Sequence, residues 1–180
     1  KAMLGVNTGE ALGPEMFTSI PWVHPVVLAI VWSHAIVCCT RVPAGEVDRG
    51  TIDVLLGLPV SRWEVLCSET VVWLGSSVLL ATAALIGNAI GSSASAAAPP
   101  PDVSRRLIVL ANLLCLYLVV GSFAWLVSAL SDRRGRAITL VFAVVLASFL
   151  LNYLAQFWSV AERVSFLSIL TYYRPLTILR

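Results

Sequence analysis

Four stretches of this chain hold no Asp, Glu, Lys or Arg: residues 16–40, 70–101, 107–131 and 137–161. A helix needs roughly 20 mostly apolar residues to cross the hydrocarbon core of a bilayer. Only helices and closed barrels satisfy every backbone polar group at that depth. The stretches therefore predict four spanning helices, at about 24–40, 70–90, 107–130 and 137–157. Composition agrees, with 58% hydrophobic residues and only 12% charged, against about 25% charged in a soluble domain. The expected fold is all-α, a polytopic helical membrane protein whose residues 1–180 form one transmembrane domain.

The segments between the spans differ in character. Residues 1–23 are mixed and interrupted by Gly5, Gly9, Gly13, Pro14 and Pro21. Residues 91–104, "GSSASAAAPPPDVS", have the composition of a flexible connection. "SDRRGR" makes a tight turn between the third and fourth spans, and residues 158–180 form a tail that reads as interfacial or re-entrant. The chain opens at Lys1 without a signal peptide pattern, and further chain is expected beyond one or both ends. A net charge of +2 gives no reason to expect nucleic acid as a partner. Cys38, Cys39, Cys67 and Cys115 have no zinc-type spacing, so no metal or disulfide role is expected of them.

The most patterned polar piece is "EVDRGTIDVLLGLPVSRWE", Glu46 to Glu64, between the first two spans. On one continuous helix from Glu46 to Leu58, Glu46, Arg49, Gly50, Asp53 and Gly57 share an arc of about 100°. Val47, Thr51, Val54, Leu55 and Leu58 crowd the facing side. Arg49 can pair with Glu46 or Asp53, for about 0.2–0.5 kcal/mol each. Glycines on the polar face cost about 0.8–1.0 kcal/mol apiece, which implies close approach of another backbone or protein. Pro59 ends that helix, and "SRWE" restarts one with Ser61 as N-cap and Glu64 reaching back. The competing reading is an amphipathic helix lying on the membrane surface.

"AGEVDRGTIDVLLGLPVSR", Ala44 to Arg62, resembles the cytoplasmic signature of ABC-2 type transporter permeases, E-x-E/D-x-G-T-x-x-x-L-L-x-x-P-V-S-R. The matching positions are Glu46, Asp48, Gly50, Thr51, Leu55, Leu56, Pro59, Val60, Ser61 and Arg62. The Arg-rich turn and the "YYRPLTIL" piece near the C-terminal end agree with that family's layout, so the resemblance covers essentially the whole chain. It implies the second to fifth of six family spans, with the first and last absent. It implies that residues 44–64 are a cytoplasmic coupling segment docking on an ATP-binding cassette subunit. Glu46, Asp48 and Arg49 would make polar contacts there, Gly50 would allow close approach, Leu55 and Leu56 would pack on neighbouring helices, and Pro59–Arg62 would form the corner.

By the same resemblance the partners are that ATPase, a second permease copy or homologue, and membrane lipids, in a bacterial plasma (inner) membrane. This chain has no GxxxxGK[ST] loop, so ATP and Mg are expected on the partner and no cofactor here. No Ser/His/Asp set or HExxH motif is present, and an enzyme is not expected. The function implied is an ATP-driven permease subunit, an exporter, with a non-transporting membrane scaffold as the alternative. The apolar spans fit a hydrophobic cargo.

A few polar groups fall within the spans. His24 and His34 stand about 15 Å apart along a helix, too far to share a metal. His34, Asn88, Asn112, Asn152 and Gln156 are read first as interhelical hydrogen-bonding groups. Gly87 and Gly91 have GxxxG spacing, suited either to packing within the chain or to a dimer seam.

Charge bias leaves orientation open: six Lys or Arg lie on each side of the four spans. The density of Arg in "SDRRGR" favours the cytoplasm for that turn, and the resemblance places residues 41–69 there too. In a cysteine-free background, Ser93→Cys should react with a membrane-impermeant maleimide on intact cells, whereas Arg136→Cys should react only after lysis. Labelling of both from outside would overturn that arrangement.

Overall fold

The computed structural model describes residues 22–94 and 102–179; the expectations for residues 1–21 and 95–101 lie outside the described residues. Among the described residues all regular structure is helical. α1 is Pro25–Cys39, followed by two short helices, α2 (Ala44–Arg49) and α3 (Ile52–Leu56). Three long helices come next, α4 (Arg62–Ala94), α5 (Val103–Ala129) and α6 (Arg134–Leu154). The tail holds α7 (Ser159–Val164), two 3-10 turns (Ser165–Leu167 and Ile169–Tyr172) and α8 (Pro175–Leu179).

Three helices are long and apolar enough to cross a membrane, over Arg62–Ser93, Val103–Ala129 and Arg134–Leu154. The stretch expected to be the first span contains a helix of 15 residues. That is about 22 Å, short of the roughly 30 Å hydrocarbon core. His24 Nδ1 accepts a hydrogen bond from Val26 N at 3.3 Å, and Pro25 occupies the first turn, so the helix starts at a defined cap. α1 is nevertheless central. Leu28, Val31, Trp32, Ala35, Ile36 and Cys39 are buried against α4, α5 and α6.

The second span was expected to begin near residue 70, yet α4 runs unbroken for 33 residues from Arg62. The Ser61–Glu64 capping box starts the helix early, and nothing between it and the apolar run breaks it. α4 buries a single stripe, Trp73, Ser77, Ala81 and Asn88. Trp73 stacks on Tyr117 of α5, with ring centroids 5.9 Å apart and planes at 24°. A Cβ at Gly121 would lie 2.2 Å from the Trp73 ring, so only glycine leaves room for the indole.

His34 of α1 joins this stack, its Nδ1 sharing a hydrogen bond with Tyr117 Oη at 2.9 Å. It is thus one of the interhelical polar contacts expected of spanning helices. Arg106, awkwardly placed at the start of a span, donates to Ser92 Oγ of α4 at 3.4 Å. A Cβ at Gly87 or Gly91 would have nothing within 4 Å, so their faces pack on no other part of the described chain.

Chain direction places the α2–α3 segment and the 130–133 turn at one end of the bundle, and the tail at the other. There Tyr173 Oη donates to Trp22 O at 2.7 Å. Ser168 Oγ donates to Ser148 O at 2.8 Å, and Ile169 N to Ser148 Oγ at 2.8 Å. Among the described residues no tail helix exceeds six residues.

Gly121→Val should destabilise the purified protein by about 1–3 kcal/mol through overpacking, read as a lower Tm in detergent. In the Trp73→Ala background the same substitution should cost clearly less, because its clash partner is gone. Equal losses in the two backgrounds would show that the indole does not set the limit.

Candidate functional site

Residues 44–62 form an elbow whose inner root is fixed and whose outer surface is free. At the root, Ala44 and Gly45 are buried. Ala44 N donates to the buried Ser128 Oγ of α5 at 3.1 Å. A Cβ on Gly45 would meet Arg134 Cδ of α6 at 3.3 Å, and Arg134 in turn donates to Val37 O of α1 at 3.2 Å. Three core helices thus grip the start of the elbow.

The single helix expected over Glu46–Leu58 is not formed. α2 ends at Arg49 because Gly50 takes φ +69°, ψ 18°, the left-handed conformation that closes helices. The continuous polar face breaks there, and α3 begins two residues later. Gly50 answers a local backbone need, since nothing lies within 4 Å of its Cβ position. A residue at the end of a short helix and one in the middle of a long one give the same apolar periodicity, so spacing alone hid this break.

Glu46 ties the break together. Its carboxylate accepts from Thr51 Oγ1 at 2.5 Å and pairs with the Arg49 guanidinium. Arg49 is not drawn to Asp53. The Thr51 hydroxyl, and then the Arg49 charge, hold the Glu46 carboxyl below its ordinary pKa of 4.5. A lowered folded pKa means the contact contributes fully above the ordinary value and weakens as acid carries the pH through the lower one.

The second corner follows expectation. α3 stops at Leu56, Leu58 is outside the helix, and Pro59 and Val60 lead to the next cap. Ser61 N donates to Glu64 Oε2 at 2.6 Å, and Glu64 N donates to Ser61 Oγ at 3.2 Å. This reciprocal pair is the capping box.

The predicted residues fall into two groups. Asp48, Arg49, Gly50 and Thr51 are exposed on the outer surface, with Glu46 half-buried beneath them. Leu55, Leu56, Val60 and Arg62 instead line an apolar cleft of about 270 Å³ under the elbow, together with Val65, Leu66 and Trp125. Leu55 is half-buried and Leu56 is 50% exposed, so neither is locked into a helix–helix core. Sequence reasoning missed the cleft and Trp125, because Trp125 comes from α5 and no local spacing connects it to the elbow. It also missed Ser128 and Arg134, which anchor the root.

A family model described as ABC-2 family transporter protein matches residues 11–180. The chain belongs to the ABC-2 transporter family. No curated protein and no solved structure matches it. As an ABC-2 permease it is the membrane component of an ABC transporter, a multi-pass protein that is not itself the ATPase. ABC-2 permeases as a family work with an ATP-binding subunit.

Gly50→Ala forces an L side chain into left-handed backbone, a strain of about 1–2 kcal/mol. Amide exchange across residues 46–56 of this ABC-2 permease should quicken about tenfold, while Asp48→Ala should leave it unchanged. Equal exchange in both variants would show that the Gly50 conformation does not hold the elbow.

Proposed function

We propose that this chain is the permease subunit of an ATP-driven ABC-2 exporter in a bacterial plasma membrane, coupled to a separate ATP-binding subunit through residues 46–62. One observation carries the reading. The elbow is held at its root by Ser128 and Arg134, presents Asp48, Arg49, Gly50, Thr51 and Asp53 outward, and ends in a cap that continues without a break into spanning helix α4. A push on its outer surface therefore reaches the bundle directly. Charged groups on that surface suit a polar docking contact, which sets orientation and partner choice. ATP and Mg bind on the partner, whose closure drives the motion.

The permease works as a dimer, and the open faces at Gly87 and Gly91 leave room for close approach of a second copy. The cargo is hydrophobic or lipid-like, in keeping with spans that carry few charged contacts. A second reading, a scaffold that binds a regulator or lipid through the same segment, draws support from the exposed apolar Val54, Leu56 and Leu58.

Asp48 is exposed and makes no side-chain hydrogen bond or ion pair among the described residues, so its substitution spares the fold. Asp48→Arg and Glu46→Ala should each reduce cargo-linked ATP hydrolysis by the complex at least about tenfold, with insertion and Tm retained for Asp48→Arg. Unchanged coupled hydrolysis in both variants would reject the docking role and favour the scaffold.

A further inference from the structure

Among the residues that line the cleft beneath the elbow, Arg62 is the one with a charged side chain. Among the described residues the ion pairs are Arg41–Glu69 and Arg49–Glu46, and Arg62 makes neither an ion pair nor a hydrogen bond. Glu64, its near neighbour on α4, is engaged with Ser61 N. The cleft thus combines apolar surface with an exposed cation that has no ion-pair partner among the described residues.

Depth gives these groups meaning. Arg62, Val65 and Leu66 follow one another along α4, ahead of Glu69 and the charge-free run that starts at Thr70. From Arg62 to Glu69 the helix rises about 10 Å, somewhat more than a headgroup layer of roughly 5–7 Å per leaflet. The Arg62 backbone therefore stands a few ångströms outside that layer, within reach of the phosphates for a long flexible side chain. The cleft descends past Val65 and Leu66, which stand within the layer, toward the hydrocarbon. Leu66, which lines the cleft, belongs to an exposed apolar flank of α4. Trp63 is 74% exposed, and Leu66, Leu74 and Val78 continue its exposed side down α4 into the spanning part.

We infer that this cleft binds an acidic phospholipid, with its phosphate on Arg62 and an acyl chain along Val65, Leu66 and Trp125. An apolar knob from a protein would fill the wall and leave the guanidinium without a counter-charge. A phosphodiester carrying fatty chains supplies both from one molecule, and polybasic attraction to acidic leaflets adds to it. The site rests on membrane insertion and on the cleft itself, and it stands whether or not an ATPase docks on the elbow.

The test uses the full chain in nanodiscs of phosphatidylcholine and phosphatidylglycerol, extracted and weighed by native mass spectrometry. Wild type should retain phosphatidylglycerol over phosphatidylcholine by about fivefold. Arg62→Gln should lose that preference, Arg62→Lys should keep most of it, and Val65→Trp should displace the retained lipid by filling the cleft. No preference in wild type would leave an annular lipid only and overturn the site, as would preference that survives Arg62→Gln. A benzophenone amino acid at Val60, otherwise in the wild-type background, should yield a phospholipid adduct in native membranes. A protein adduct there, with no lipid adduct, would assign the cleft to a docking partner instead. That readout also remains valid if an Arg62 variant fails to fold.

Discussion

The seat of Trp73 over Gly121 decides how this bundle is assembled. α4 is the longest helix and the one least enclosed by its neighbours, with a buried stripe only one residue wide. Between helices in lipid there is no hydrophobic force to draw them together, so close van der Waals contact has to do it. An indole set onto a glycine in the facing helix gives that contact over a large area. Tyr117 completes it from α5, and His34 extends it to α1. Three helices meet at one aromatic layer, and a methyl group at Gly121 would separate two of them.

Hydrogen bonds at other depths reinforce this layer without replacing it. Ala44 N on Ser128 closes the elbow end, while Ser148 with Ser168 and Tyr173 with Trp22 close the far end. Each such bond is worth about 0.6 kcal/mol on average, too little to drive association. Their effect is directional, because a donor buried in an apolar medium accepts very few alternative registers. Packing supplies adhesion, and these bonds fix which turn faces which.

Some of the architecture was plain in the residue order, and some was not. The capping box at Ser61 and Glu64 needs only local geometry, so three residues of spacing predict it and the chain forms it. The apolar runs predict α5 and α6 closely for the same reason: spanning length and the absence of charge are properties of the run itself. The break at Gly50 escaped because a glycine in a helical pattern is consistent with either a tolerated interior residue or a terminus. α1 matches the predicted 24–40 within a residue at each end, yet at 15 residues it is shorter than a full crossing. The cleft, Trp125 and the Ser128 anchor depend on which helices become neighbours, and no single segment records that. The elbow's outer residues share one exposed surface because they are contiguous in the chain.

The unbroken course of α4 has a mechanical consequence. With the helix seated at Trp73, the segment from Arg62 to that point is about 16 Å long, and the segment onward to Ala94 is about 32 Å. A stiff rod turning on such a fulcrum behaves as a lever with arms near one to two. A sideways displacement of about 1 Å where the rod leaves the elbow becomes about 2 Å at its remote tip, in the opposite direction.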